Sequence, residues 1–306
     1  YEAWLLSEGF LTAEEISSIR AEIKNHIEEE LKIGFETIPM NANIDEELSD
    51  VYAARIQAPP MLVQNETVNH DTGSWGVSTE KKFIGAISEA LDQSLQQHPD
   101  FVLMGQDIAE YGGAFKVTEG FVEKYGKARI RNTPLCESAI VGTALGLSLK
   151  GFKSMMEMQF ADFATVGFNQ IINNLAKINY QWGQTADVVI RMPTGGGVGA
   201  GPFHSQSNEA WFVHTPGLKV VYPSSPIDAK GLLIAAINDP NPVIYFEHKA
   251  LYRSISGPVP DGYYEIEIGK ARHVSKGEDI SVITYGAGVH WALEYAAKHQ
   301  DLSIDI

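Results

Sequence analysis

The chain has 306 residues, 44% hydrophobic and 20% charged, with a net charge of −16. That length supports a large core and two domains, and the acidic balance disfavours contact with a phosphate backbone, so nucleic acid is not an expected partner. The single cysteine, Cys136, excludes an internal disulfide and suits a reducing, cytoplasmic setting, and no apolar run approaches a membrane span.

Residues 1–35 read as helix. Thr12-Ala13-Glu14-Glu15 has the form of a capping box, and Ile16, Ile19, Ile23, Ile27 and Leu31 recur at three- to four-residue spacing, with Gly34 as the stop. The opening YEAWLLSEGF has no basic stretch leading into an apolar core, so no signal peptide is expected. Residues 36–77 carry little periodicity. Pro59-Pro60, Asn65, Asn69 and Asp71-Thr72-Gly73-Ser74 mark a linker.

From Ser78 the pattern becomes regular. Helices are expected over 81–97, from about 135 to 150, and over 165–180 and 227–238. Strands are expected over 101–105, 128–131, 154–160, 187–192, 219–222 and 242–246. Apolar strands alternating with helices predict a doubly wound parallel α/β sheet, whose ligands gather at the carboxyl ends of the strands. Gly257-Pro258-Val259-Pro260 reads as a boundary, followed by the start of a second α/β domain: strands over 269–274 and 280–285, and a helix over 290–299. The last residues, Ser303 to Ile306, read as mid-strand, as expected for a piece of a longer chain. The division is then a helical extension over 1–35, a linker over 36–77, a main domain over 78–255 and the beginning of another over 256–306.

Three places carry candidate chemistry. Glu137 leads a helix that is apolar nearly all round, which predicts burial of the helix and a carboxyl at the rim of a core in need of a partner. The run Thr194 to Pro202 is glycine-rich but fits neither a Walker loop nor a dinucleotide fingerprint. It leads instead to His204, and glycines there permit close approach to a ligand. Glu157 to Phe163, EMQFADF, ends a strand with Gln159, Phe160 and Phe163: either core aromatics with an edge amide, or a wall against a flat ring. His214 reads as structural, and no zinc-spaced Cys/His cluster occurs.

Taken together, NTPLCE, EMQFADF, FHSQS, PGLKVVYPSSPIDAKGLL and NPVIYFEHKALYR resemble the beta subunit of thiamine-diphosphate-dependent 2-oxo acid dehydrogenases, the decarboxylating component. The likeness runs from Ser78 to Ile306. NTPLCE and FHSQS look most like the branched-chain, 2-oxoisovalerate type, while PGLKVV and DAKGLL also occur in the pyruvate type. Residues 1–35 look like the end of the family's alpha subunit, which implies an alpha–beta fusion.

The resemblance implies roles. Glu137 corresponds to the glutamate that bonds the pyrimidine ring nitrogen, where burial pushes a carboxyl pKa up and lets it share the ring's proton. Leu135, Gln159 and Phe163 correspond to residues that line the pyrimidine, although some members carry Tyr at Phe163. His204 corresponds to the histidine assisting acyl transfer to lipoyl. Ala236, Asp239 and Asn241 correspond to a structural potassium site. The diphosphate and its magnesium belong to a Gly-Asp-Gly motif on the alpha side, and that motif does not occur here. The implied partners are an alpha-type region, a second beta-type chain and the lipoyl domain of the acyltransferase. A transketolase-like or deoxyxylulose-phosphate-synthase-like enzyme, or a catalytically silent scaffold, are the other readings; FHSQS and the alpha-like start argue against the first two.

Overall fold

The computed structural model describes residues 1–39, 41–55 and 77–306. The proline pair and the turn residues expected at 59–74 lie outside the described residues. The chain forms two compact units, Tyr1–Glu47 and Leu48–Ile306.

In the first unit, α1 spans Glu2–Ser7 and α2 spans Ala13–Glu36. The capping box is made: Thr12 N–H donates to the Glu15 carboxylate at 2.7 Å, and Glu15 N–H donates to Thr12 Oγ1 at 3.2 Å. The helix runs through Gly34 to Glu36, because one glycine costs only about 1 kcal/mol in an established helix. The predicted row of Ile19, Ile23, Ile27 and Leu31 is exposed. A short α3, Ile44–Ser49, forms where no periodicity announced it. Asn43 Oδ1 accepts from Asp45 N–H at 3.1 Å, and the three acids of its first turn suit the positive end of the helix dipole.

The second unit opens with β1 (Ser78–Lys82) and α4 (Phe83–Gln97), followed by β2 (Val102–Gly105), α5 (Phe121–Tyr125), β3 (Ile130–Asn132), α6 (Glu137–Ser148) and β4 (Ser154–Glu157). Then come α7 (Ala164–Asn169), α8 (Ile178–Trp182), β5 (Val188–Thr194), α9 (Ala210–Val213), β6 (Lys219–Val221), α10 (Pro226–Ile237), β7 (Val243–His248), α11 (Leu251–Ser254) and β8 (Ser256–Pro260). Six strands make one all-parallel sheet in the order β3-β2-β4-β5-β7-β6. Neighbouring strand residues point to opposite faces. Leu103, Met155, Val189 and Tyr245 pack with Phe83, Ile87, Leu91, Leu233 and Ile237 of α4 and α10. Met104, Met156, Ile190 and Phe246 pack with Ile140, Val141, Ala144, Ile171 and Phe212 on the other side. No helix among the described residues is long and apolar enough to cross a membrane.

Several expectations are corrected. Lys81 and Lys82 belong to β1, not to the helix. β1 pairs antiparallel with β8, a strand in the stretch that had read as a boundary, and Lys81 Nζ is drawn to Glu89 and Asp261 at 2.8 and 2.9 Å. The helix over 165–180 is broken: after α7 comes a π-turn at Gln170–Asn174 and a 3₁₀ turn at Leu175–Lys177. Its amides bond side chain to side chain, Asn174 to Gln170 at 2.6 Å and Asn173 to Asn169 at 2.9 Å; short amide side chains of this kind weaken a regular helix. The helix led by Glu137 is buried on one face only, through Ile140, Val141, Ala144 and Ser148, while Ala139, Thr143 and Gly146 are exposed.

Near the end, β9 (Ile280–Ser281) pairs in parallel with β10 (Ile304–Asp305), across α12 (Ala287–Lys298). Residues 269–274 are not a strand. Arg272 turns to Asp228 at 2.5 Å and His273 to Asp305 at 2.9 Å, and backbone pairing begins only at Val274, whose N–H donates to the Ile306 carbonyl at 2.7 Å.

Candidate functional site

Because the sheet is parallel, the segments that follow its strands gather at one edge. Gln106 and Asp107 follow β2, Glu137 opens the helix after β3, Gln159 follows β4, the glycine loop follows β5 and Lys249 follows β7. Glu137 is half-buried, and Gln106 Nε2 donates to its Oε1 at 3.4 Å. Gln106 Oε1 is buried without a hydrogen-bond partner among the described residues. Gln159 Nε2 lies 3.5 Å from Asp107 Oδ2, so Glu137 and Gln159 meet through two adjacent residues of one loop. Asp107 has φ 59°, a left-handed conformation that aspartate adopts more readily than most residues. Gly167 brings α7 against the first turn of α6: a Cβ there would stand 3.3 Å from Val141 and 3.5 Å from the Glu137 carbonyl. Leu135 is 80% exposed.

Beside this polar ridge is an aromatic one. The His204 ring stands edge-on to Phe160 and Phe163, with centroids 4.5 and 5.5 Å away. The glycine loop returns to the sheet edge at Gln206. Its carbonyl accepts from Gly195 N–H at 3.0 Å and Thr194 Oγ1 at 2.9 Å, and its N–H donates to Asp162 Oδ1 at 3.2 Å. Asn208 Nδ2 donates to the Ala161 carbonyl at 2.8 Å. Between these anchors, a 3₁₀ turn at Pro202–His204 presents the imidazole.

Two buried charge clusters escaped the sequence reading. Arg191 forks onto Glu247 at 2.6 and 2.7 Å and reaches Glu157 at 2.5 Å, and Tyr252 also donates to Glu247 at 2.6 Å. Burial pushes the Glu157 carboxyl up from its usual range, against the pull of Arg191. The second cluster is Lys249 with Asp162. Burial pushes the Lys249 ammonium down to about 8, with Asp162 opposing. In sequence, Arg191 interrupts an apolar strand, and a charge inside such a run is the signal that could have found it; Glu157 ends β4 and Lys249 follows β7.

Ala236, Asp239 and Asn241 do come together at the end of α10. Asp239 Oδ1 accepts from Asn241 N–H and Nδ2 at 3.0 and 2.9 Å, and Lys219 Nζ sits 2.6 Å from Oδ2. The Asn241 amide exchanges bonds with the Ala53 backbone at 2.8 and 3.1 Å. The Ala236 carbonyl lies at the negative end of the helix and accepts from Asp239 N–H at 3.3 Å. These oxygens suit a monovalent cation in charge and hardness, and the Lys219 ammonium competes for them. Among the described residues, no group of three or more His, Cys, Asp or Glu side chains could hold a metal ion. A groove of about 600 Å³ is lined by Thr165, Phe168, Ala210, Trp211 and His214, none of them a predicted ligand-binding residue. His214, a structural residue on the sequence reading, caps the end of α9 and is exposed.

The sheet edge fits a flat aminated heterocycle. Among the described residues Glu137 is an acceptor with a single long side-chain bond, Gln106 leaves a buried acceptor, Phe163 offers a half-buried ring and Leu135 an exposed apolar side chain.

The family described as "Transketolase, pyrimidine binding domain" matches residues 80–254. The chain is 46% identical to the 2-oxoisovalerate dehydrogenase subunit beta of Bacillus subtilis over 220 residues, 71% of this chain and 67% of that one. It is 45% identical to the mitochondrial 2-oxoisovalerate dehydrogenase subunit beta of Dictyostelium discoideum, covering 72% of this chain and 60% of that one. It is also 45% identical to the pyruvate dehydrogenase E1 component subunit beta of Acholeplasma laidlawii, covering 70% and 65%. The chain thus spans about two thirds of the length of these relatives. Among solved structures, a "split gene transketolase, inactive beta4 tetramer" aligns with TM-score 0.59 at 22% identity, covering 75% of this chain and 69% of that one, a likeness of fold. The chain belongs to the transketolase pyrimidine-binding-domain family and, within it, to the beta subunits of the thiamine-diphosphate-dependent 2-oxo acid dehydrogenases.

Proposed function

We propose that this chain supplies the pyrimidine half of a thiamine-diphosphate site in the decarboxylating component of a branched-chain 2-oxo acid dehydrogenase. The substrate is a 2-oxoisovalerate-like acid, and the acyl group passes to lipoyl. The observation that carries the proposal is Glu137: a half-buried carboxylate at a helix start, touched by the Gln106 amide, linked to Gln159 through the Gln106-Asp107 loop and two residues after exposed Leu135. Thiamine diphosphate, when bound, supplies a nucleophilic carbon and the electron sink for loss of carbon dioxide. Glu137 holds a proton shared with the ring nitrogen. Gln106 fixes the Glu137 rotamer through its amide, while Gln159, Phe163 and Leu135 orient the ring and exclude water. His204, braced on Phe160 and Phe163, handles a proton as the acyl group moves to sulfur. The acyl carbon is oxidised and the lipoyl disulfide reduced.

An alpha-type region supplies the diphosphate and magnesium ligands, a second beta-type chain completes the dimer, and a lipoyl domain receives the product, all in the cytoplasm. Ala236, Asp239 and Asn241 hold a structural potassium ion. The first unit is the end of a fused alpha-type region; the coding sequence ahead of Tyr1 tests this. The main domain spans 78–255, with a second beginning at 256. Pyruvate-type relatives share the same level of identity, so pyruvate is the competing substrate.

The test uses the chain reconstituted with an alpha-type partner, magnesium and thiamine diphosphate. The expected kcat/KM is higher for 2-oxoisovalerate than for pyruvate, and Glu137→Ala lowers it by several orders of magnitude. Higher kcat/KM on pyruvate moves the assignment to the pyruvate type. Undiminished turnover by Glu137→Ala leaves only a scaffold role.

A further inference from the structure

We infer that Lys249 and Asp162 are a buried pair of positioning residues that set the Phe160–His204 platform for acyl transfer. The inference rests on the role just proposed for His204. Both side chains are buried, Lys249 at 3% and Asp162 at 5% exposure, and Lys249 Nζ and Asp162 Oδ2 have no hydrogen-bond partner among the described residues. Each reaches His204 through one intermediary. Lys249 Nζ lies 5.4 Å from the centroid of the Phe160 ring, the same ring that His204 meets edge-on at 4.5 Å. Asp162 Oδ1 accepts the backbone N–H of Gln206, two residues beyond His204 in the loop that presents it. The two routes leave from β7 and from the turn after β4, so they brace the imidazole from two strands of one rigid sheet.

Stability does not explain the pair. A desolvated ammonium with no direct hydrogen bond is costly, and an apolar side chain of the same volume would pack there more favourably. The other charged neighbours do not relieve it. His248 stands beside it on the chain, and the Lys249 charge pushes the imidazole pKa of His248 down further. Features that cost stability at a sheet edge lined with ligand-facing groups are found where geometry is being held for function. Lys249 holds its partner ring by charge, which allows Phe160 to stay half-exposed under His204 instead of sinking into the core.

The test compares Lys249→Met, Asp162→Asn and His204→Ala in the reconstituted enzyme. Two rates are taken for each: lipoyl-domain acylation, and decarboxylation coupled to a dye that accepts electrons without lipoyl. Thermal unfolding is followed in parallel. The expected result for Lys249→Met is a roughly ten- to hundredfold fall in the ratio of acylation to decarboxylation, together with a higher unfolding temperature. Asp162→Asn, which keeps an acceptor for Gln206, lowers the same ratio. An unchanged ratio in both variants while His204→Ala lowers it overturns the positioning pair and leaves the role of His204 standing. A fall in unfolding temperature, with both rates dropping together, overturns it in favour of a plain structural lysine. An unchanged ratio in His204→Ala itself removes the assigned role of the histidine, and the inference with it.

Discussion

Arg191 sits in the middle of the sheet with one guanidinium against two carboxylates. Its fork on Glu247 makes a matched pair, so Glu157 carries the surplus negative charge. Burial is the largest influence on Glu157 and raises its pKa, and Glu247 adds to the rise while Arg191 opposes it. A carboxyl whose folded pKa lies above its unfolded value of 4.5 binds its proton more tightly when folded, so its contribution to stability falls as pH rises from there through the folded pKa. Glu157→Gln has no such group. The stability difference, variant minus wild type, is therefore expected to grow between pH ~5 and pH ~8, by no more than about 1.4 kcal/mol for each unit of the raised pKa. Urea denaturation of both proteins at the two values measures it, and a difference that shrinks with pH contradicts the raised carboxyl. The same residues mark the limit of what was legible in sequence. Glu137, Gln159 and His204 stand out because a polar group next to a strand end or a glycine run is conspicuous. Arg191, Glu157 and Lys249 do not, because a buried charge shows its partner only after the strands have been set side by side.

The alternation of strands and helices was readable because both faces of a parallel sheet are covered, which makes its strands nearly continuous apolar runs. The misread elements are those where side-chain polarity overrode the period. β1, SerThrGluLysLys, has no apolar face and exists because β8 pairs with it; the segment after α7 bends where its amides bond one another. The spacing of the glycine loop fits no nucleotide motif, and one reason for its glycines lies in packing. Gly195 has φ +82°, and a Cβ there would stand 2.3 Å from Nε2 of the His248 ring. Gly195→Ala is thus expected to combine a left-handed strain of about 1–3 kcal/mol with displacement of His248 or of the loop. Thermal unfolding reads the first effect and the acylation-to-decarboxylation ratio reads the second. An alanine variant with wild-type values for both would mean that the loop carries no such constraint.

Across the whole chain, the parts of the site fall on one side of the chemistry. On the proposed reading the sheet edge offers Glu137, Gln159, Phe163 and His204 for a ring and an acyl group, and the chain contains no Gly-Asp-Gly sequence for a magnesium diphosphate. A net charge of −16 also repels a free diphosphate at low ionic strength. A ligand at free concentration c that binds only the folded state stabilises it by RT ln(1 + c/Kd), roughly 2.7 kcal/mol at about 100 times its Kd, and one that does not bind contributes nothing. Thiamine diphosphate with magnesium is therefore expected to leave the unfolding temperature of the isolated chain where it is, and to raise it once an alpha-type partner is present. The same experiment separates the corner at Asp239 from the sheet edge. Exchange of sodium for potassium should raise the unfolding temperature of the isolated chain by itself, because Ala236, Asp239 and Asn241 belong to this polypeptide and to the end of one helix. A cofactor-induced rise in the isolated chain would show that it grips the diphosphate unaided. Equal temperatures in the two salts would show that Lys219 already satisfies the Asp239 carboxylate.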